Sequence, residues 1–136
     1  MRNASEGDPA NAWLVCAIGL SAGAGLIHLM VTPHHLKHWI GYGLFFLAAG
    51  AAQLIYPVGL LRRPRRSWLL AGIVGNGLII ALYLVTRTIG IPFFGPDAWR
   101  VEPIGRVDVI SKLAEAALIV SLVALLRRQP VAEPAS

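Results

Sequence analysis

One cysteine stands among the 136 residues, Cys16, so the chain can form no intramolecular disulfide and its redox compartment is not written in its cysteines. Charge is scarce as well: Asp, Glu, Lys and Arg make up 14% of the chain, with only 7 acidic residues against 12 basic ones. No nucleophile, base and orienting group fall together as a set, and no cofactor fingerprint is present. The reading is therefore of a protein that is not an enzyme, with no catalytic residue to nominate. Internal repeats and low-complexity tracts are also missing.

What fills the chain is apolar. Hydrophobic residues make up 56% of it, and the mean hydropathy of +0.63 is too high for an ordinary soluble domain. The apolar residues fall into four stretches, Ala12–Val31, Ile40–Leu61, Trp68–Thr86 and Val107–Leu126. Each is close to the ~20 residues that cross a hydrocarbon core of about 30 Å. This predicts an all-α four-helix transmembrane bundle forming one membrane domain over residues 1–136. Residues 1–11 and 129–136 read as disordered tails. Met1–Ala10 carries one arginine against Glu6 and Asp8, a poor start for a cleaved signal peptide, so the first span reads as an uncleaved helix.

The net charge of +5 does not point to nucleic acid, because the arginines sit at span ends: Arg62, Arg63, Arg65 and Arg66, then Arg127 and Arg128. Arginines so placed set topology and meet anionic headgroups. With the amino terminus in the cytoplasm, seven basic residues (Arg2 and these six) lie inside, against four outside: Lys37, Arg87, Arg100 and Arg106. The expected topology is up-down-up-down with both termini cytoplasmic, in a cell membrane read as the bacterial inner membrane. Thr32-Pro33 predicts an N-cap followed by proline at the first helical position, which would start the second helix near Pro33. The third should stop near Gly90-Ile91-Pro92. The Pro-, Gly- and aromatic-rich loop that follows reads as a cap lying in the interface.

Small residues supply packing surfaces: the Gly19/Gly23 GxxxG pair, the run Ala48–Ala52 and Gly72, Gly75 and Gly77. They suit helix packing within the bundle, a homodimer, or docking against a larger membrane complex. Polar residues inside the spans are few and therefore informative. Gln53 and Asn76 lie at matching depth on adjacent helices, which predicts an interhelical hydrogen bond. Asp108, Lys112 and Glu115 share one face of the fourth helix, with Arg87 available to take a second carboxylate. Glu115 is deep enough to demand a partner. It reads either as part of a structural ion-pair network or as a proton acceptor or metal ligand.

All four histidines, His28, His34, His35 and His38, fall within eleven residues. Imidazoles one helical turn apart commonly give two ligands to one metal ion. The sharpest expectation is an outward-facing copper or zinc site drawn from these histidines, with Asp108, Glu115 or Glu102 completing it. Haem is disfavoured, because only His28 lies inside a span. The alternatives are solvated interfacial histidines on an accessory subunit, or a small proton-coupled carrier using Glu115 and His28.

The runs Gly25-Leu-Ile-His28-Leu, Pro33-His-His35, Gly43-Leu-Phe-Phe46 with Gln53, and Thr86-Arg87-Thr-Ile-Gly90-Ile-Pro92 with Gly95-Pro96 and Asp108 carry a resemblance. They resemble a group of small four-span bacterial membrane proteins that has no established activity. The resemblance implies the fold and no function. Lys37 stands where that pattern carries an acidic residue, which implies one carboxylate fewer for a metal.

Overall fold

The computed structural model describes residues 8–129. Among them are four helices and no strand: α1 (Pro9–His38), α2 (Ile40–Arg62), α3 (Arg66–Thr88) and α4 (Arg106–Arg128). Each is long and apolar enough to cross a membrane. The expected disordered tails lie outside the described residues over 1–7 and 130–136. Residues 9–11 belong to α1, a correction with a local cause. Asp8 is the N-cap, its side chain accepting from the Ala10 N–H at 3.0 Å, and Pro9 opens the helix.

The second correction is at Pro33. α1 runs through it to His38, so α2 starts at Ile40 and all four histidines belong to α1. Proline removes one backbone hydrogen bond, but a membrane helix tolerates this when neighbouring side chains serve the freed backbone. The carbonyl freed by Pro33 is that of Leu29, and Thr32 donates its hydroxyl to the neighbouring His28 carbonyl at 2.8 Å, within the same turn. The chain reverses instead at Trp39, a single residue in extended conformation.

The polarity of the molecule is inverted relative to a water-soluble protein. Ser21, His28, Thr32, Gln53, Asn76, Ser111 and Glu115 are buried, while Met30, Ile55, Leu78 and Leu113 face outward and are more than half exposed. Polar groups inside and aliphatic groups outside is the arrangement hydrocarbon selects. The chain is a multi-pass membrane protein.

The two ends of the bundle are built differently. Towards the arginines, Ala17, Leu60, Leu69, Leu118, Leu122 and Leu125 make a dry core. Tyr56 and Trp68 clamp α2 to α3 there, their rings stacked at 5.5 Å. The Tyr56 hydroxyl donates to the Trp68 carbonyl at 2.9 Å, and the Trp68 indole donates to the Tyr56 carbonyl at 3.2 Å. Towards the histidines, the segment between α3 and α4 folds back over the ends of α1 and α2. The Tyr42 hydroxyl donates to the Phe94 carbonyl at 3.1 Å, and Asp97 meets His38. Gly95, at φ +80°, makes this strap possible, because a Cβ there would lie 2.5 Å from the Tyr42 hydroxyl.

Candidate functional site

The four helices converge on Glu115, whose residue is fully buried. Its Oε1 lies 2.7 Å from His28 Nε2 of α1 and accepts from Gln53 Nε2 of α2 at 3.2 Å. Ser111, one turn earlier on α4, brings its hydroxyl to 3.5 Å from the same oxygen. The other oxygen, Oε2, accepts from Lys112 Nζ at 2.5 Å. Gln53 also donates to Asn76 Oδ1 of α3 at 3.0 Å, so the hydrogen bond expected between those residues forms and extends to the carboxylate. Asn76 in turn donates to the Gly72 carbonyl at 2.8 Å.

A carboxylate oxygen that receives an amide N–H while its twin receives an ammonium is held as an acceptor. His28 then donates Nε2–H to Glu115, and its Nδ1 takes no part in the layer. That Nδ1 is buried and has no hydrogen-bond partner. The ring is 3% exposed and packs against Phe46 at 5.5 Å between centroids. A carboxylate fixing one imidazole nitrogen and leaving the other free is the base-and-orienter half of a catalytic triad. Ser111 brings its hydroxyl to 3.5 Å from Nε2, the nitrogen already engaged by Glu115, and among the described residues no side chain hydrogen-bonds Nδ1.

A cavity of about 960 Å³ opens beside this layer towards the histidine end, with His28, Ser111 and Lys112 at its inner limit. Arg87 lies on its wall, held by two carboxylates: Nη1 reaches Glu102 at 2.7 Å and Nη2 reaches Asp108 at 2.8 Å. Asp108 has a second task, accepting the Gly105 N–H at 3.2 Å as the capping carboxylate of α4.

The six nominated metal ligands do not converge. Because α1 is unbroken, His28 and His38 are ten residues apart on one helix, about 15 Å along its axis. His28 is committed to Glu115 and Asp108 to Arg87. The Nδ1 of His35 hydrogen-bonds the Val31 carbonyl at 3.0 Å, and its ring lies 4.0 Å from Phe46. His34 is exposed. His38 meets Asp97, which also takes Arg100 at 3.1 Å. The His38 hydrogen bond, and after it that of Arg100, holds the Asp97 carboxyl below the ordinary carboxylate range. Among the described residues, no three His, Cys, Asp or Glu side chains are placed to hold a metal ion. The expected convergence assumed a turn at Pro33 that would fold the later histidines back beside His28, whereas α1 continues straight through it.

Sequence reasoning did not single out Asp97, Tyr42 or Ser111. Tyr42 stands one turn beyond His38 and Ser111 one turn before Glu115, spacings visible in the sequence. The pairing of Asp97 with His38 spans 59 residues and has no local signal. Among the small residues, Gly25 and Gly50 mediate close packing, whereas a Cβ at Gly19, Gly23, Gly75 or Gly77 would meet nothing within 4 Å. The GxxxG pair therefore does not pack this bundle. Comparison with family models, curated proteins and solved structures gives no match to the chain.

Proposed function

We propose that this non-enzymatic membrane protein binds a small molecule in the cavity at its histidine end and handles a proton there through His28 and Glu115. The observation that carries this reading is the 2.7 Å contact between two buried ionisable groups from different helices, beside a cavity of ligand size. A carboxylate in a membrane bundle is costly unless it serves structure or moves charge. Lys112 supplies the structural counter-charge, so the imidazole is an additional, titratable partner. The bundle threads the bacterial inner membrane up-down-up-down with both termini cytoplasmic, which places the arginine end inside and the cavity outside.

The test is the ¹⁵N spectrum of His28 in lipid nanodiscs. At neutral pH the expected state has the proton on Nε2 and none on Nδ1. Glu115→Gln should displace both nitrogen signals. His28 signals that are the same in Glu115→Gln as in the wild type would overturn the reading.

A second reading places copper or zinc on His28, since metal-bound imidazoles usually donate their other nitrogen to a carboxylate. Support for it is limited to that one ligand and its orienting partner. Elemental analysis of protein purified in mild detergent tests it, and a metal-free preparation that still takes up no zinc or copper would dismiss it.

A further inference from the structure

Of the neighbouring helix pairs, α2 and α3 touch least. Their side-chain bonds, the Tyr56–Trp68 clamp and the Gln53–Asn76 hydrogen bond, lie on the arginine side of the polar layer or within it. Beyond it the helices part, with Phe45 and Phe46 of α2 and Ile79, Leu82 and Tyr83 of α3 lining the cavity between them. The strap from α3 to α4 covers its end through Tyr42–Phe94 and His38–Asp97. The cavity is thus floored by the polar layer and roofed by the strap, and the loosely joined α2–α3 seam beside it faces hydrocarbon in a bilayer. Through that seam a molecule dissolved in the membrane would reach it without passing through water.

The charges around the cavity limit what enters. Arg87 is paired with Glu102 and Asp108, Lys112 with Glu115, and Arg100 with Asp97. An anionic head would have to displace one of these carboxylates, and a cationic head would find none without a partner. The remaining capacity is for donation. An ammonium has three N–H groups, and Lys112 uses one on Glu115. Among the described residues the buried polar atoms without a partner, Arg87 Nε, His28 Nδ1 and Gln53 Oε1, are closed off from the cavity, so the donors open to it are the remaining N–H groups of Lys112. Spare donors among balanced charges suit a neutral acceptor such as a carbonyl oxygen. The walls suit a flat ring: Phe46 lies against the rings of His28 and His35, and Tyr83 lies beneath Arg87 and Lys112.

We propose that the cavity takes a lipid-soluble quinone, which enters between α2 and α3 and sets a ring carbonyl against Lys112 Nζ. The volume is at the upper end of the range for small-molecule sites, about 300–1,000 Å³. The proposal rests on the small-molecule reading above and adds the route and the ligand class.

Binding of a short-chain ubiquinone to the intact protein in nanodiscs, above the level in empty nanodiscs, tests it. The wild type should bind saturably. Ile79→Phe, which narrows the cavity from its α3 wall, should bind about tenfold more weakly, as should Lys112→Met. Dodecyl phosphate and diacylglycerol should not compete. Wild-type retention no greater than in empty nanodiscs, or equal binding by Ile79→Phe, would overturn the proposal. Competition by dodecyl phosphate or diacylglycerol would also overturn the quinone class, yet leave the small-molecule reading standing. The proton-handling part of that reading is tested separately, by the His28 spectrum.

Discussion

Gly25 of α1 and Gly50 of α2 face each other so closely that a Cβ on either would lie 2.9 Å from the other's carbonyl oxygen. This contact sets the separation of the two helices, and one turn away it lets the Ser21 hydroxyl donate to the Gln53 carbonyl at 2.7 Å. The position of Gln53, and through it the donor on Glu115, depends on two residues with no side chain.

Gly50→Val should therefore separate α1 from α2 and cost about 1–3 kcal/mol, the usual penalty of overpacking. Gly19→Ala, where nothing lies within 4 Å, should stay within roughly 0.5 kcal/mol of wild type. Unfolding midpoints in one detergent compare the two. Equal losses would show that the glycine contact does not set the packing.

Removing the charge of Glu115 leaves Lys112 without its counter-charge. Glu115→Gln should lower stability by about 3 kcal/mol, the lower end for breaking a buried pair, because Lys112 is 14% exposed and has the cavity to turn into. Glu115→Gln with Lys112→Met should recover part of that loss. A double variant less stable than Glu115→Gln alone would contradict the pairing.

The Gln53–Asn76 bond is accessible to a double-mutant cycle with leucine at each position. The coupling expected is about 0.6–2 kcal/mol, the range for interhelical hydrogen bonds in membranes. A coupling near zero would mean that Gln53 serves Glu115 alone.

The strap has a pH dependence of definite sign. Asp97 has its carboxyl lowered by His38 and then Arg100, so its contribution is fully present above the ordinary aspartate value of about 3.9 and is lost as pH falls through the lowered one. Amide exchange in residues 91–100 should stay slow down to that point and then accelerate. Asp97→Asn should exchange faster at neutral pH as well. An unchanged rate in Asp97→Asn would remove the strap's anchor.

Much of the fold was legible because hydrocarbon imposes a simple pattern. Span length alone placed the four helices, and the need to satisfy Gln53, Asn76 and Glu115 pointed to the interior of the bundle. The histidine site was misread at Pro33, where a rule derived from helices in water was applied to a helix in lipid. There the helix continues through the proline to His38. The cavity was not legible at all. It depends on where α2 and α3 part, and no local pattern of residues encodes a gap between helices.

The unbroken α1 also has a mechanical consequence. At 30 residues it is about 45 Å long, against about 35 Å for the 23-residue α2 to which it is joined by Trp39 alone. A hydrocarbon core of about 30 Å is shorter than either, so the pair must lean, project beyond the bilayer, or thicken the lipid around it. With a one-residue hinge, the two helices cannot choose their inclinations separately. Bilayer thickness thus acts on the histidine-bearing end of α1 as a lever, and how far His38 stands from the hydrocarbon becomes a property of the lipid as much as of the chain.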